Sequence, residues 1–195
     1  EVFRGLRAGV IAGDIVPVFC GSATLNVGVK KLMDAVVALM PSPSDRGPVK
    51  GVDEKGQPAQ RMPKVEEPFS AFVYKTIADP YAGKLTLMKV LSGSLKSDSG
   101  FFNATHQVKE RFGHLFLLQG KKQVNVESAV AGQLVAVAKL KETRTGDTLT
   151  VEGKIFLMPP VRIPEPAMSY AIHPKSKGDE EKVSQSMARL LEEDP

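Results

Sequence analysis

Phe69-Ser70-Ala71-Phe72-Val73-Tyr74-Lys75 begins the stretch that decides the fold, residues 69–153. Apolar and polar residues alternate there in short runs that Gly-rich turns separate, as is typical of strands. Further runs of this kind cover residues 85–91, 100–104, 108–118 and 132–140. Several short antiparallel strands in so short a segment predict a closed β-barrel, because closure removes exposed sheet edges.

Positive charge is concentrated in the same segment. The chain has 26 Lys and Arg against 22 Asp and Glu. Residues 69–153 hold eleven of the former and seven of the latter, whereas the rest of the chain is balanced. A basic surface favours a polyanionic partner such as RNA, and an ordinary solvated surface is the alternative.

The composition is that of a soluble globular protein, with 42% hydrophobic and 25% charged residues among 195. No apolar run approaches the roughly 20 residues that a membrane helix needs. The single cysteine, Cys20, excludes an internal disulfide framework and fits a reducing compartment. These features predict a cytoplasmic protein without a membrane partner.

The residues before the β segment show helical and strand patterns in turn. Residues 1–12 and 29–40 have apolar residues at helical spacing. Between them, Ile15-Val16-Pro17-Val18-Phe19-Cys20 is almost wholly apolar, which predicts a strand buried on both faces of a parallel sheet. The order indicates the end of an α/β domain over residues 1–48.

Two segments flank the predicted barrel. Residues 41–68 are rich in Pro, Gly and charge and predict a loop, with the linker itself at 49–68. After the barrel domain at 69–158, residues 167–173 predict a strand and a helix follows from Lys177. Residues 159–195 therefore indicate the start of an α+β domain. The chain begins at a non-Met residue within a helical pattern, so we expect it to be part of a longer protein.

The order of these segments resembles one protein family. Ile15 to Ala23, followed by Gly28-Val29 and Leu32 to Val36, is similar to the end of the GTP-binding domain of translation elongation factor G. The segment from Pro68 to Leu149 resembles that family's second domain, and the segment from Pro164 to Pro195 its third. His114 and the stretch Phe116 to Lys122 resemble the elongation-factor-G-like paralogues more closely.

The resemblance implies a mainly β chain: a translation-factor-type antiparallel β-barrel between the end of an α/β GTP-binding domain and the start of a ferredoxin-like α+β domain. It also implies that the longer protein is a GTPase that uses GTP and Mg²⁺ and acts on the ribosome in elongation and translocation. The partners that it implies are small-subunit rRNA and the GTP-binding domain of the same chain. We expect the present chain to be monomeric and to carry no bound cofactor.

The same resemblance implies three groups of site residues. The guanine loop would be Gly21, Ser22 and Ala23. The rRNA contacts would be Lys109 and Arg111, which alternate on one strand and so face the same way, together with Lys121 and Lys122. The contact with the GTP-binding domain would be made by Asp79, Pro80 and Gly83. Phe101 and Phe102 could suggest base stacking, but adjacent strand residues point opposite ways, so at least one is expected in the core.

Catalytic motifs are absent from the sequence. Neither a Gly-x-x-x-x-Gly-Lys-Ser/Thr phosphate loop nor an Asn-Lys-x-Asp motif occurs, so we expect no catalytic residue and no GTP hydrolysis by this chain. The three histidines and Cys20 have no metal-ligand spacing. Two alternatives remain open: a non-catalytic barrel that binds proteins, and a related GTPase that recycles ribosomes or protects them from antibiotics.

Overall fold

The structure is a computed structural model that describes residues 1–79, 83–120 and 122–194. It divides into two units, Glu1–Gly47 and Pro48–Pro195. Within the described ranges, no helix has the length and apolar character needed to cross a membrane.

The first unit contains two helices and a short 3-10 turn. Helix α1 spans Val2–Ala12, helix α2 spans Val29–Leu39, and the 3-10 turn spans Pro43–Arg46. Gly13 ends α1 with φ 84°, a left-handed conformation that glycine adopts without steric cost. An ion pair of 2.7 Å between Arg7 and Asp45 joins α1 to the 3-10 turn.

The strand predicted over residues 15–20 is not formed. The segment has no regular structure, Val16 is 81% exposed and Val18 is 86% exposed, and Cys20 is exposed rather than buried. A parallel strand takes its hydrogen bonds from neighbouring strands. The first unit, all of which is described, has no strand that could pair with it, and Pro17 lacks a backbone N–H.

The second unit is built of short strands and one helix. The strands have these bounds: β1 Val49–Val52, β2 Pro58–Arg61, β3 Ser70–Asp79, β4 Gly83–Ser92, β5 Ser94–Lys96, β6 Gly100–Asn103, β7 Val108–Arg111, β8 Leu115–Gln119, β9 Lys122–Val126, β10 Ser128–Val130, β11 Leu134–Ala138 and β12 Thr148–Thr150. Helix α3 spans Glu180–Glu193.

Eight of the strands form one antiparallel sheet in the order β7-β6-β12-β3-β4-β11-β8-β9. Strands β5 and β10 pair with each other and continue β4 and β11 beyond sharp bends. The chain after β5 then meets the end of β7, because Asp98 N–H donates to Gly113 C=O (2.6 Å) and Phe112 N–H donates to Ser99 C=O (3.1 Å). The sheet thus curls back on itself around one core.

That core takes one apolar residue or more from almost every strand of the curled sheet. Its fully buried members include Val73 from β3, Met88 from β4 and Val137 from β11. Leu149 from β12 and Phe101 from β6 pack against them. A second, smaller cluster around Leu85, Leu87 and Ala136 lies on the opposite face of β4 and β11. The alternation along the strands therefore decides which side chains are enclosed.

Residues 41–68 are not one irregular loop, as the sequence predicted. Strands β1 and β2 form a hairpin, and Val52 exchanges two backbone hydrogen bonds with Leu157 at 2.9 and 2.8 Å. The ring of Phe156 is fully buried beneath Gly51, where an added Cβ would lie 2.7 Å from it. Local composition hid the hairpin because its stabilising contacts come from residues about a hundred positions away.

Two further strand predictions need correction. Residues 108–118 form two strands, β7 and β8, since the chain turns at Phe112 to His114. Residues 167–173 form no strand, and Tyr170 is 79% exposed. A lone strand gains little without a partner. The predicted helix after Lys177 is confirmed as α3, and the predicted strands around β3, β4, β6 and β11 are confirmed with shifted ends.

Candidate functional site

Strand β7 carries the two predicted RNA contacts that share a face. It stands at one end of the sheet order and pairs with β6, so that Lys109 lies opposite Phe102 and Arg111 opposite Gly100. Both basic side chains are exposed, whereas Glu110 between them points to the other face and is half-buried. The alternation expected from the sequence is present.

The charge of Lys109 is partly neutralised. Its Nζ lies 2.7 Å from Oε1 of Glu152, and the two side chains are 65% and 62% exposed. An ion pair as exposed as this one contributes about 0–1 kcal/mol and is easily exchanged for another anion. Arg111 forms no ion pair with any residue in the described ranges.

A shallow cleft of about 290 Å³ lies between these side chains. The half-buried Phe102 and Val151, which is 42% exposed, form apolar parts of its wall. Lys109, Arg111 and Glu152 supply its charges. Phe101 is 6% exposed and belongs to the core, so the expectation that the two adjacent rings point opposite ways is confirmed.

The other predicted RNA contacts lie elsewhere. Lys122 is exposed at the start of β9, opposite Gln119 of β8. Strand β9 stands at the other end of the sheet order from β7. Lys121 lies outside the described residues. The hydrogen-bonded order therefore does not place Lys122 beside Lys109 and Arg111.

The hairpin between β3 and β4 carries the predicted interdomain residues. Asp79 and Gly83 form its last pair, and Gly83 has φ 74°. Pro80 lies outside the described residues. Next to this end, the backbone N–H of Ala78 donates to the Glu193 carboxylate, and Lys84 lies 3.8 Å from Glu192. The hairpin thus contacts the end of α3.

The predicted guanine loop forms a tight turn in the first unit. Ser22 and Val27 exchange two backbone hydrogen bonds of 2.9 Å. A Cβ on Gly21 would lie 2.7 Å from the Val27 carbonyl oxygen, so only glycine fits the turn as built. The Ser22 hydroxyl accepts a 3.3 Å bond from the N–H of Leu25.

A concave site of about 260 Å³ adjoins this turn. Gly21, Ser22 and Ala23 line it together with apolar residues such as Val29 and Leu32. Backbone amides and a hydroxyl beside an apolar wall suit one side of a purine site. For Mg²⁺, the described residues contain no cluster of acidic, His or Cys side chains that could hold a metal ion.

A buried polar network that the sequence did not single out connects the turn after β6 to residues 141–147. The Asn103 amide donates to Asp147 Oδ2 (2.8 Å) and to Thr143 Oγ1 (3.3 Å). Its carbonyl oxygen accepts the N–H groups of Thr105 and His106 at 3.0 and 3.1 Å. Asn103, Thr143 and Asp147 are almost wholly buried. The signal in the sequence was three polar residues beside strand ends, which resembles ordinary turn chemistry.

Glu110 holds the neighbouring part of the same loop. Its carboxylate accepts the N–H groups of Lys141 (2.7 Å), Glu142 (3.1 Å) and Thr143 (3.0 Å), and also the Thr143 hydroxyl. Burial raises the pKa of Glu110, but the hydroxyl and the three amides outweigh it and the pKa lies below the usual value. The loop is fixed by carboxylates from within the fold.

Known proteins resemble the whole chain. The family described as "Elongation factor G domain 2" matches residues 68–152, and "Elongation Factor G, domain III" matches residues 163–195. Elongation factor G of Fervidobacterium nodosum is 43% identical over the full 195 residues, and that of Ureaplasma parvum is 41% identical. The chain spans 28% of the length of each of these relatives.

A solved structure supports the same relationship. A crystal structure of a protein from Thermus thermophilus aligns with the whole chain and 27% of its own length, at 28% identity and a TM-score of 0.77. Neither comparison separates the principal factor from its paralogues, so the closer likeness to the paralogues stays a prediction. The matches to two domains in order and to full-length relatives agree: the chain belongs to the elongation factor G family.

Proposed function

We propose that the chain is part of a translational GTPase that acts with GTP on the ribosome during elongation and translocation. The carrying observation is the uninterrupted match of all 195 residues to elongation factor G. Domain limits at 48, 68 and 158 and a monomeric, cytoplasmic protein belong to the same proposal. In the longer protein, GTP hydrolysis would move the domains, and the curled sheet would serve as a rigid docking module.

The docking partner proposed for the second unit is small-subunit rRNA. Arg111 is exposed and forms no ion pair with another described residue, and Lys109 holds its acidic partner only at the surface. Both side chains can therefore reach phosphate groups or 2′-hydroxyls, which A-form RNA displays on its surface. Lys121 and Lys122 are proposed as a separate contact at the β8–β9 hairpin.

Two further roles follow for the remaining predicted residues. Gly21, Ser22 and Ala23 would supply one wall of the guanine site, while other parts of the longer protein would hold the phosphates and Mg²⁺. Bound GTP would supply the hydrolysis that drives domain movement. Asp79, Pro80 and Gly83 would contact the GTP-binding domain.

Filter binding to purified small ribosomal subunits at two salt concentrations tests the docking role. The chain should bind less tightly at the higher salt, because each phosphate contact releases counterions. Arg111→Ala should lower the logarithmic salt slope by about one. Lys96→Ala, which removes an exposed lysine of β5, should change the slope less.

The alternatives give different results in the same assay. Salt-independent binding, unchanged by Arg111→Ala, would instead favour a barrel that binds proteins through apolar contacts. Absence of binding at either salt concentration would remove the rRNA-docking role.

A further inference from the structure

The cleft between β6 and β7 combines three kinds of group that a nucleotide needs. Phe102 offers an aromatic ring that is half-buried and so fixed in place, and it lies directly opposite Lys109. Arg111 follows two residues later on the same face. An aromatic surface binds the face of any base, and cations bind the adjoining phosphate.

Space in the cleft is set by a glycine. Gly100 stands opposite Arg111, and a Cβ there would lie 2.8 Å from the Glu110 carbonyl oxygen and 3.3 Å from Cγ of Arg111. The missing side chain lets the arginine stem lie close to the strand. The resulting volume, about 290 Å³, suits one base with its phosphate but not the side of a duplex, which would need a broader surface.

Charge within the cleft favours exchange. Glu152 holds Lys109 at 2.7 Å, but the pair is largely exposed. A phosphate can therefore replace the carboxylate at small cost. Glu152 also repels an incoming anion, so its removal should strengthen binding.

We propose that this cleft binds one unstacked nucleotide of single-stranded or bulged RNA, with the base on Phe102 and its phosphate between Lys109 and Arg111. The inference rests on the proposed rRNA docking and specifies the form of RNA at this surface. Stacking on an aromatic ring tolerates any base, so the cleft recognises an exposed base rather than a sequence.

The test uses the 195-residue chain and a seven-nucleotide RNA with 2-aminopurine at its centre, either single-stranded or in a blunt duplex. Binding to the single strand should change the fluorescence of the central base, and the single strand should bind more tightly than the duplex. Phe102→Leu should weaken single-strand binding by roughly tenfold and leave duplex binding unchanged. Glu152→Gln should strengthen single-strand binding.

Matched variants separate the cleft from general effects. Phe116→Leu removes a half-buried ring on β8 outside the cleft and should leave RNA binding unchanged. Thermal unfolding of each variant, followed by circular dichroism, checks that the fold is retained. If Phe102→Leu unfolds, Arg111→Gln replaces it and should weaken binding to the single strand more than to the duplex.

The outcomes distinguish this inference from the docking role. Equal binding of both RNAs, insensitive to Phe102→Leu, would overturn the nucleotide cleft while the rRNA docking stands. Displacement of the RNA by micromolar adenosine monophosphate would show a site for free nucleotides and would also overturn it. Failure to bind these RNAs and small subunits alike would remove both.

Discussion

Asn103 Nδ2 lies 2.8 Å from Asp147 Oδ2, and both side chains are buried. The contact joins the end of β6 to the turn before β12. Asp147 also accepts the N–H of Arg144 at 2.8 Å, and its second oxygen lies 3.2 Å from Nε2 of His106. A buried carboxylate is tolerated because donors surround it.

Asn103→Ala should lower the free energy of unfolding by about 3 kcal/mol, because it removes a donor from a buried carboxylate and an acceptor from two N–H groups. Urea unfolding followed by circular dichroism measures the change. Asn125→Ala, at an exposed position of β9, should stay within about 0.5 kcal/mol of the unchanged chain. Equal losses in the two variants would contradict the structural role of the network.

Glu110 predicts a dependence of stability on acid. Its folded pKa lies below the value in the unfolded chain, which is about 4.3. The ionised group therefore stabilises the fold fully above that pH, and the contribution disappears as pH falls through the lower, folded pKa. Glu110→Gln should be less stable than the unchanged chain at pH 7, and the difference should shrink on acidification. A difference that stayed constant across this range would show that the carboxylate charge is not involved.

Gly93→Ala should destabilise more than Gly56→Ala, although both residues have positive φ, 70° and 75°. A Cβ at Gly93 would lie 2.6 Å from backbone atoms of Glu67 and Phe69, whereas the same atom at Gly56 meets nothing within 4 Å. Left-handed strain alone costs about 1–2 kcal/mol. Melting temperatures from calorimetry compare the two variants, and similar values would argue against a close approach at Gly93.

Phe156 predicts protection of the β1–β2 hairpin. The ring is fully buried, and the Arg61 guanidinium lies 5.7 Å from its centre. Phe156→Ala should cost about 3–5 kcal/mol and should speed tryptic cleavage after Lys50 and Arg61. Mass spectrometry of a digestion time course follows these cuts. Phe3→Ala, at a position that is 72% exposed, serves as the control. Rapid cleavage of the unchanged chain at both residues would indicate a free linker instead.

Much of the curled sheet could be predicted from local pattern. Alternation located β3, β4, β6 and β11, because each has one face towards the core. Strands β5, β10 and β12 have three residues each, too few for a period to show. The hairpin of β1 and β2 escaped because its alternate residues are at most half-buried.

The candidate site divides in the same way. The placement of Lys109 and Arg111 on one face follows from a period of two and could be predicted. The ion pair of Lys109 with Glu152 could not, since it depends on β12 leading past the β6–β7 pair. The same is true of Phe102, whose half-buried ring became visible only beside these charges.

By itself, the sequence determined the family, the β character of residues 69–153 and the positions of the helices, because local periodicity and residue order carry that information. Tertiary structure decided which polar groups are buried, which charges are paired and which apolar run becomes a strand. Those outcomes depend on partners distant in the chain. Glu110 shows the difference: in the sequence it is one acid between two basic residues, and in the fold it holds three amides of residues 141–143.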